Sequence, residues 1–132
     1  MNEDHRYAFH MNALHGGLEL IDTQRIVDEC REPWFNQTLC AVNDCVVRLG
    51  IIEGDFHWHQ HIEEDEFFYV QEGRLLIDLE DRTVELLPKH GFLVPKGVVH
   101  RTRAPEKCVI LMVEGSGVVP SGDGAVGTGD TE

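Results

Sequence analysis

From residue 38 to residue 114 the chain is written as a series of short β-prone runs, each closed by a turn signal. Residues 39–42 and 45–52 flank Asn43-Asp44, a dipeptide suited to a tight hairpin turn that needs positive φ. Gly54-Asp55 and Glu72-Gly73 mark further reversals, and Pro88, Pro95, Gly97 and Pro105 punctuate the second half of the segment. The runs between them, residues 56–61, 66–70, 75–79, 83–87, 91–94, 99–102 and 108–114, are each long enough for one strand. No helical period separates them. Parallel βαβ units are therefore disfavoured, and the chain is expected to be all-β, a sandwich or a barrel.

The flanks read differently. Residues 18–31 are expected to hold one short helix, opened by Ile21 or Asp22, with Ile26, Val27 and Cys30 on one side. Pro33 stops it, and Trp34 and Phe35 come next as core or rim anchors. Residues 1–17 carry His5, His10 and His15 at a spacing that fits neither a helix face nor a strand face, and they read as a flexible leader. Residues 115–132 are rich in Gly, Ser, Thr and Asp, cannot bury enough to order themselves, and read as a flexible tail. The 132 residues thus make one domain, over residues 18–114.

The 11 basic and 24 acidic side chains leave a net charge of −13. Such a surface repels nucleic acid and anionic membranes, so neither is expected as a partner. No apolar run approaches membrane-spanning length. The polar, acidic N-terminus lacks the basic start and apolar core of a secretion signal, and a soluble, cytoplasmic protein is expected. Cys30, Cys40, Cys45 and Cys108 form no CxxC pair and are expected to be reduced, mostly buried thiols. Cys40 and Cys45 flank the hairpin turn closely enough for a disulfide, but the reduced state is preferred.

Residues 54–73 read GDFHWHQHIEEDEFFYVQEG. On a strand, His57, His59 and His61 point to one face, and Trp58 and Gln60 to the other. A turn over residues 62–65 returns the chain, so that Glu66, Phe68 and Val70 share a face and Glu66 comes across from the histidines. In residues 91–102, GFLVPKGVVHRT, His100 comes after the Pro95-Lys96-Gly97 turn and shares phase with Val98 and Thr102. If these faces line one lumen, His59, His61, Glu66 and His100 reach a single divalent ion, for which imidazole and carboxylate donors are suited. The competing reading is a hydrogen-bonded structural cluster, and four such residues spaced over two segments favour the metal.

His57 shares the phase of these residues. It is the candidate catalytic acid or base, or a support for a ligand, weighed against a simple rim histidine. Phe68, Val70, Ile77 and Met112 are expected in the lumen, as core more than as specificity pocket, with Tyr69 out of phase. Glu63, Glu64 and Asp65 read as a solvated turn. Arg48 and Arg74 are the internal candidates for binding an anionic substrate, and each is weighed against a surface position, which is preferred.

These residues resemble the two motifs of the cupin family. Gly54, His59, His61, Glu66 and Gly73 match the first motif, and Pro95, Gly97 and His100 match the second. Lys89 stands where the second motif usually opens with glycine, Gly91 lies closer to Pro95 than the pattern has it, and Ala104 stands where asparagine is common. Those positions shape turns and supply no ligand. The resemblance covers roughly residues 38–114, and its first segment is similar to small single-domain cupins of the mannose-6-phosphate isomerase-like type. It implies a cupin-type double-stranded β-helix, that is, a jelly-roll barrel with a short N-terminal helix added, commonly as a homodimer. It also implies an ion of iron, manganese, nickel, cobalt or zinc, and a small-molecule ligand or substrate.

Two functions are implied by that resemblance. One is a metal-dependent enzyme, a dioxygenase, isomerase or lyase, acting on a small organic acid or sugar-like substrate. The other is a non-catalytic small-molecule-binding or sensor module. The intact ligand set favours the first. The scarcity of further acids, bases and cations assigned to the lumen favours the second.

Overall fold

The computed structural model describes residues 8–117. In chain order the elements are β1 (Ala8–His10), α1 (Thr23–Glu29), β2 (Trp34–Val42), β3 (Cys45–Asp55), β4 (Glu66–Glu72), β5 (Leu75–Asp78), β6 (Thr83–Leu86), β7 (Gly91–Val94) and β8 (Arg101–Gly115). β2 and β3 meet at Asn43-Asp44 with Val42 opposite Cys45, and Asn43 takes the positive φ of 53° that the tight turn demands.

β8 organises the rest. It pairs with β3 over residues 103–104 and 108–115, with β4 over residues 109–114, and with β5 through Arg101, Thr102 and Arg103. β4 continues to β7, β5 to β6 and β3 to β2, all antiparallel, while β1 lies parallel to β2 at the edge. One strand thus serves three neighbours, which curls the sheet into a jelly roll around a single interior.

Side-chain alternation sorts the residues. Trp34, Ile52, Phe56, Phe68, Val70, Leu75, Ile77, Leu86, Ile110 and Met112 form the apolar interior. Leu39, Leu49, Ile51 and Val109 face outward and are covered by α1, whose Val27 is buried against them with Ile26 and Cys30 packed beside it. Asp22 caps α1 by accepting the Arg25 backbone N–H at 3.2 Å, as expected for a helix opened by Ile21 or Asp22.

Four expectations are corrected. Residues 56–61 are not a strand: β3 ends at Asp55, just after Gly54 at a φ of 105°, and only His59 returns to ladder geometry. Residues 99–102 and 108–114 belong to one continuous run rather than two strands, because residues 105–107 bulge opposite Glu53, between the pairs Gly54–Ala104 and Ile52–Cys108. A bulge is one of the places in a sheet where proline is tolerated, so Pro105 interrupts no hydrogen bond there. The leader over residues 1–17 is structured where it is described: Ala8–His10 adds to β2, and the Leu14 and His15 N–H groups donate to the Thr38 and Leu39 carbonyls. Arg48 is fully buried rather than at the surface.

Residues 1–7, with His5, and residues 118–132 of the expected tail lie outside the described residues. All four cysteines are free thiols, with Cys108 buried and the other three half-buried. Among the described residues no helix is long and apolar enough to cross a membrane.

Candidate metal centre

The loop between β3 and β4 is held down by backbone bonds to the chain entering β8. Phe56 N–H donates to the Thr102 carbonyl at 2.9 Å, and His59 and His100 exchange both backbone hydrogen bonds at 2.9 Å. Gly97 N–H donates to the His61 carbonyl at 2.8 Å, and Lys96 N–H donates to Asp65 Oδ1 at 2.9 Å. Asp65 is therefore a tie between the two motifs and not simply solvated turn. Gly97 turns with a φ of 80°, a conformation in which a Cβ would be strained, and this brings its N–H to His61.

The side chains converge inside. His59, His61, Glu66 and His100 are all buried. One ligand atom from each of His59, Glu66 and His100 lies within 4.8 Å of the others. His61 belongs to an overlapping trio with Glu66 and Glu114, with the same limit. His61 Nε2 is 3.2 Å and His100 Nε2 3.5 Å from Glu66 Oε1. None of these three atoms has a hydrogen-bond partner among the described residues.

Two of the imidazoles are oriented from behind. His59 Nδ1 donates to the His57 carbonyl and His100 Nδ1 to the Val98 carbonyl, each at 3.0 Å. A carbonyl only accepts, so each Nδ1 carries the proton and each Nε2 presents its lone pair inward, as an imidazole ligand does. Buried polar atoms left without partners are costly, and here they are nitrogens and carboxylate oxygens facing one point. The donors fit a divalent cation.

The electrostatics agree. Burial, and then the His100 ring, push His59 down to about 3, so it stays neutral and available as a donor. Burial alone would raise Glu66, but the His100 and His61 imidazoles beside it hold it well below the usual carboxylate range. It stays anionic where a cation would sit.

Glu114 is a buried residue of the site that the two motifs do not mark. It is buried on β8 directly opposite Glu66 and is paired with Arg48, whose Nε also donates to Thr38 Oγ1 at 3.0 Å. Burial, and then the Glu66 carboxylate, push Glu114 up to about 10 against the pull of Arg48. The signal was there: Glu114 is two residues beyond Met112, so strand alternation puts it in the same lumen. Asn36 is a second such residue. It is buried, and its Oδ1 has no partner among the described residues.

A cavity of about 30 Å³ reaches this centre, lined by Phe9, Trp34, Asn36, Phe56, Phe68, His59, Glu66, Met112 and Glu114, among others. That is room for about two waters, or for the end group of a ligand. Its aromatic wall is ordered: Trp34 stacks on Phe56 at 5.1 Å and 12°, and Phe56 meets the His59 ring edge-on at 5.4 Å. Phe68 and Met112 thus line the lumen as expected, while Val70 and Ile77 are core.

His57 is half-buried, with its ring 5.5 Å from that of His59, and what it gives the centre directly is its carbonyl. Arg74 pairs with Glu85 at 3.0 Å on the surface and lies outside the site. Tyr69 is half-buried and out of phase with Glu66 and Phe68, as alternation requires.

Residues 46–114 match the cupin domain family, just over half of the chain. The chain is 44% identical over 90 residues to YdbB of Bacillus subtilis (strain 168), an uncharacterized protein, covering 67% of this chain and 80% of the relative. A crystal structure of a cupin-2 domain containing protein from Shewanella frigidimarina is similar at 32% identity and a TM-score of 0.70, over 73% of this chain and 94% of that one. Protein NMB1881 from Neisseria meningitidis shares the fold at 24% identity and a TM-score of 0.65, over 74% of this chain and 99% of that one.

Proposed function

This chain belongs to the cupin family, and on that footing we propose that it is a metal-dependent enzyme acting on a small organic acid or sugar-like substrate, as a dioxygenase, isomerase or lyase. His59, His61, Glu66 and His100 would hold a divalent ion of iron, manganese, nickel, cobalt or zinc. The observation that carries this reading is the convergence of His61 Nε2, His100 Nε2 and Glu66 Oε1, buried and without hydrogen-bond partners among the described residues. Such an ion, when bound, polarises a substrate oxygen or lowers the pKa of a bound water.

The chain's own residues do the rest. The His57 and Val98 carbonyls fix the two imidazoles. Trp34, Phe56 and Phe68 wall the cavity with apolar surface, and Asn36 Oδ1 offers an acceptor to a hydroxyl or N–H of the ligand. His57 is the proposed proton carrier at the rim. The small cavity supports a substrate that enters by its oxygen-bearing end.

The remaining parts of the proposal are a homodimer and a cytoplasmic location. Supporting the first, Phe67, Leu93 and Val113 are exposed and adjacent across β7, β4 and β8. Supporting the second, four free thiols suit a reducing compartment.

A second reading, a non-catalytic binding or sensor module, is favoured by the mainly apolar cavity wall, which offers few groups to move a proton. Metal analysis of the purified protein, with dioxygen uptake and isomerase and lyase assays on a metabolite panel, separates the two. Bound metal with substrate-dependent turnover is expected. Tight ligand binding without turnover, across several metals, would overturn the enzyme reading.

A further inference from the structure

The four residues of the proposed centre do not account for all the unpartnered donors in this interior. Glu114 Oε1 is also buried and also without a hydrogen-bond partner among the described residues. The carboxyl group is pinned through its Oε2 by the ion pair with Arg48 Nη1, both side chains being almost wholly buried. Arg48 is itself fixed through its Nε to Thr38 Oγ1 at 3.0 Å. One oxygen of Glu114 is thus held, and the other has a set direction.

The register explains what that direction meets. Glu66 and Glu114 are Cα partners on β4 and β8, so their side chains leave the sheet on the same face. Two carboxyl groups so placed are costly to ionise together, and Arg48 pairs with only one of them. Glu114, Glu66 and His61 each bring a ligand atom within 4.8 Å of the other two, and all three are buried. A cation between the two carboxyl groups would use the free oxygen, offset the cost of ionising both and give a partner to one ring nitrogen of His61, neither of which has one among the described residues.

We infer that Glu114 is a fifth protein ligand of the ion, adding Oε1 from β8 to the three histidines and Glu66. This rests on the metal centre proposed above. Glu114 ligates in its ionised form, whose charge Arg48 balances, so the pair adds an oxygen donor and no net charge. A six-coordinate ion would keep one position for water or substrate rather than two, and carboxylate oxygen favours the harder ions of the set, manganese and iron(II), over the softer ones.

Mn²⁺ alone is the probe, used on the full chain. Equilibrium dialysis compares the wild type, H100A and E114Q, and water proton relaxation counts exchangeable waters on the bound Mn²⁺. E114Q preserves the shape of the side chain and an oxygen for Arg48 but removes the anionic donor. It is expected to weaken Mn²⁺ binding by about 10- to 100-fold and to add an exchangeable water. A residue that only supported the fold would leave the water count unchanged. The inference is overturned if E114Q keeps wild-type affinity and hydration while H100A has lost binding. If the wild type binds Mn²⁺ no better than H100A, the proposed centre is wrong and Glu114 falls with it. Should E114Q fail to fold, the double variant R48M/E114Q, which removes the buried positive charge as well, carries the same comparison and the same expected losses.

Discussion

His59 and His100 exchange both of their backbone hydrogen bonds at 2.9 Å, and this isolated bridge sets their rings 4.3 Å apart. Neither residue lies within a strand. The bridge therefore extends the β3–β8 pairing past the end of β3 and aligns the two motifs. Because it is made by main-chain atoms, it survives loss of either side chain.

His59→Ala and His100→Ala should accordingly remove the metal without removing the fold. Elemental analysis of the purified variants should show the bound metal lost, and added metal should no longer raise the melting temperature as it does for a protein that binds it only when folded. Variants that retain wild-type metal content would contradict the assignment.

Arg48 and Glu114 are buried together, and removing one partner leaves the other uncompensated. Arg48→Met should cost about 3 to 5 kcal/mol in chemical denaturation. Replacing both residues with apolar ones, R48M/E114L, should recover most of that loss. A cost for R48M below about 1 kcal/mol would mean that the pair behaves as a solvated one.

Asp78 gives a pH dependence away from the centre. It accepts from Arg103 at 2.6 and 2.9 Å, from Arg101 at 3.0 Å and from Thr83 at 2.6 Å. The Arg103 guanidinium, joined against burial by Thr83 and Arg101, holds its carboxyl well below the usual range. With the folded value depressed, the unfolded chain takes up the proton first on acidification. Stability from Asp78 is complete at neutral pH and is lost as pH falls below about 4, the ordinary Asp value, toward the folded one. The stability gap between wild type and D78N, measured by denaturant titration, should be flat from pH 6 to 8 and should narrow under acid. A gap that stays constant under acid would rule out the carboxylate as its source.

Gly73, the last glycine of the first motif, has a φ of 85°, and a Cβ there would meet the Lys107 carbonyl oxygen at 2.5 Å and Cys108 Cα at 2.9 Å. Both contacts are backbone, so neither can swing away. Gly73→Ala should destabilise by more than about 1 kcal/mol, seen as a lower denaturation midpoint with an unchanged slope. A neutral result would mean that the β4–β5 turn can reform around a side chain.

Much of this protein could be read from the order of its residues. Period-two alternation and turn chemistry are local properties, so the hairpin at Asn43-Asp44, the helix capped by Asp22 and the inward phase of Glu66, Phe68 and Met112 are set by neighbours in sequence. The spacing of His59, His61, Glu66 and His100 marks the centre for the same reason: a short loop and one turn supply the donors.

What only the tertiary structure decided are the relationships set by register between distant strands. Nothing near Arg48 in sequence indicates that it is buried, because its partner Glu114 arrives 66 residues later on β8. Pro105 reads as a break until β8 is seen to run on through a bulge from its pairing with β5 to its pairing with β4. His57 shares the strand phase of the ligands, yet the chain leaves the strand at Asp55, so His57 reaches the centre through its carbonyl. The sequence thus determined which residues could bind an ion, since that is local chemistry and spacing. The fold decided which carboxylate stands opposite Glu66, since cross-strand register is fixed only when the whole sheet closes around one interior.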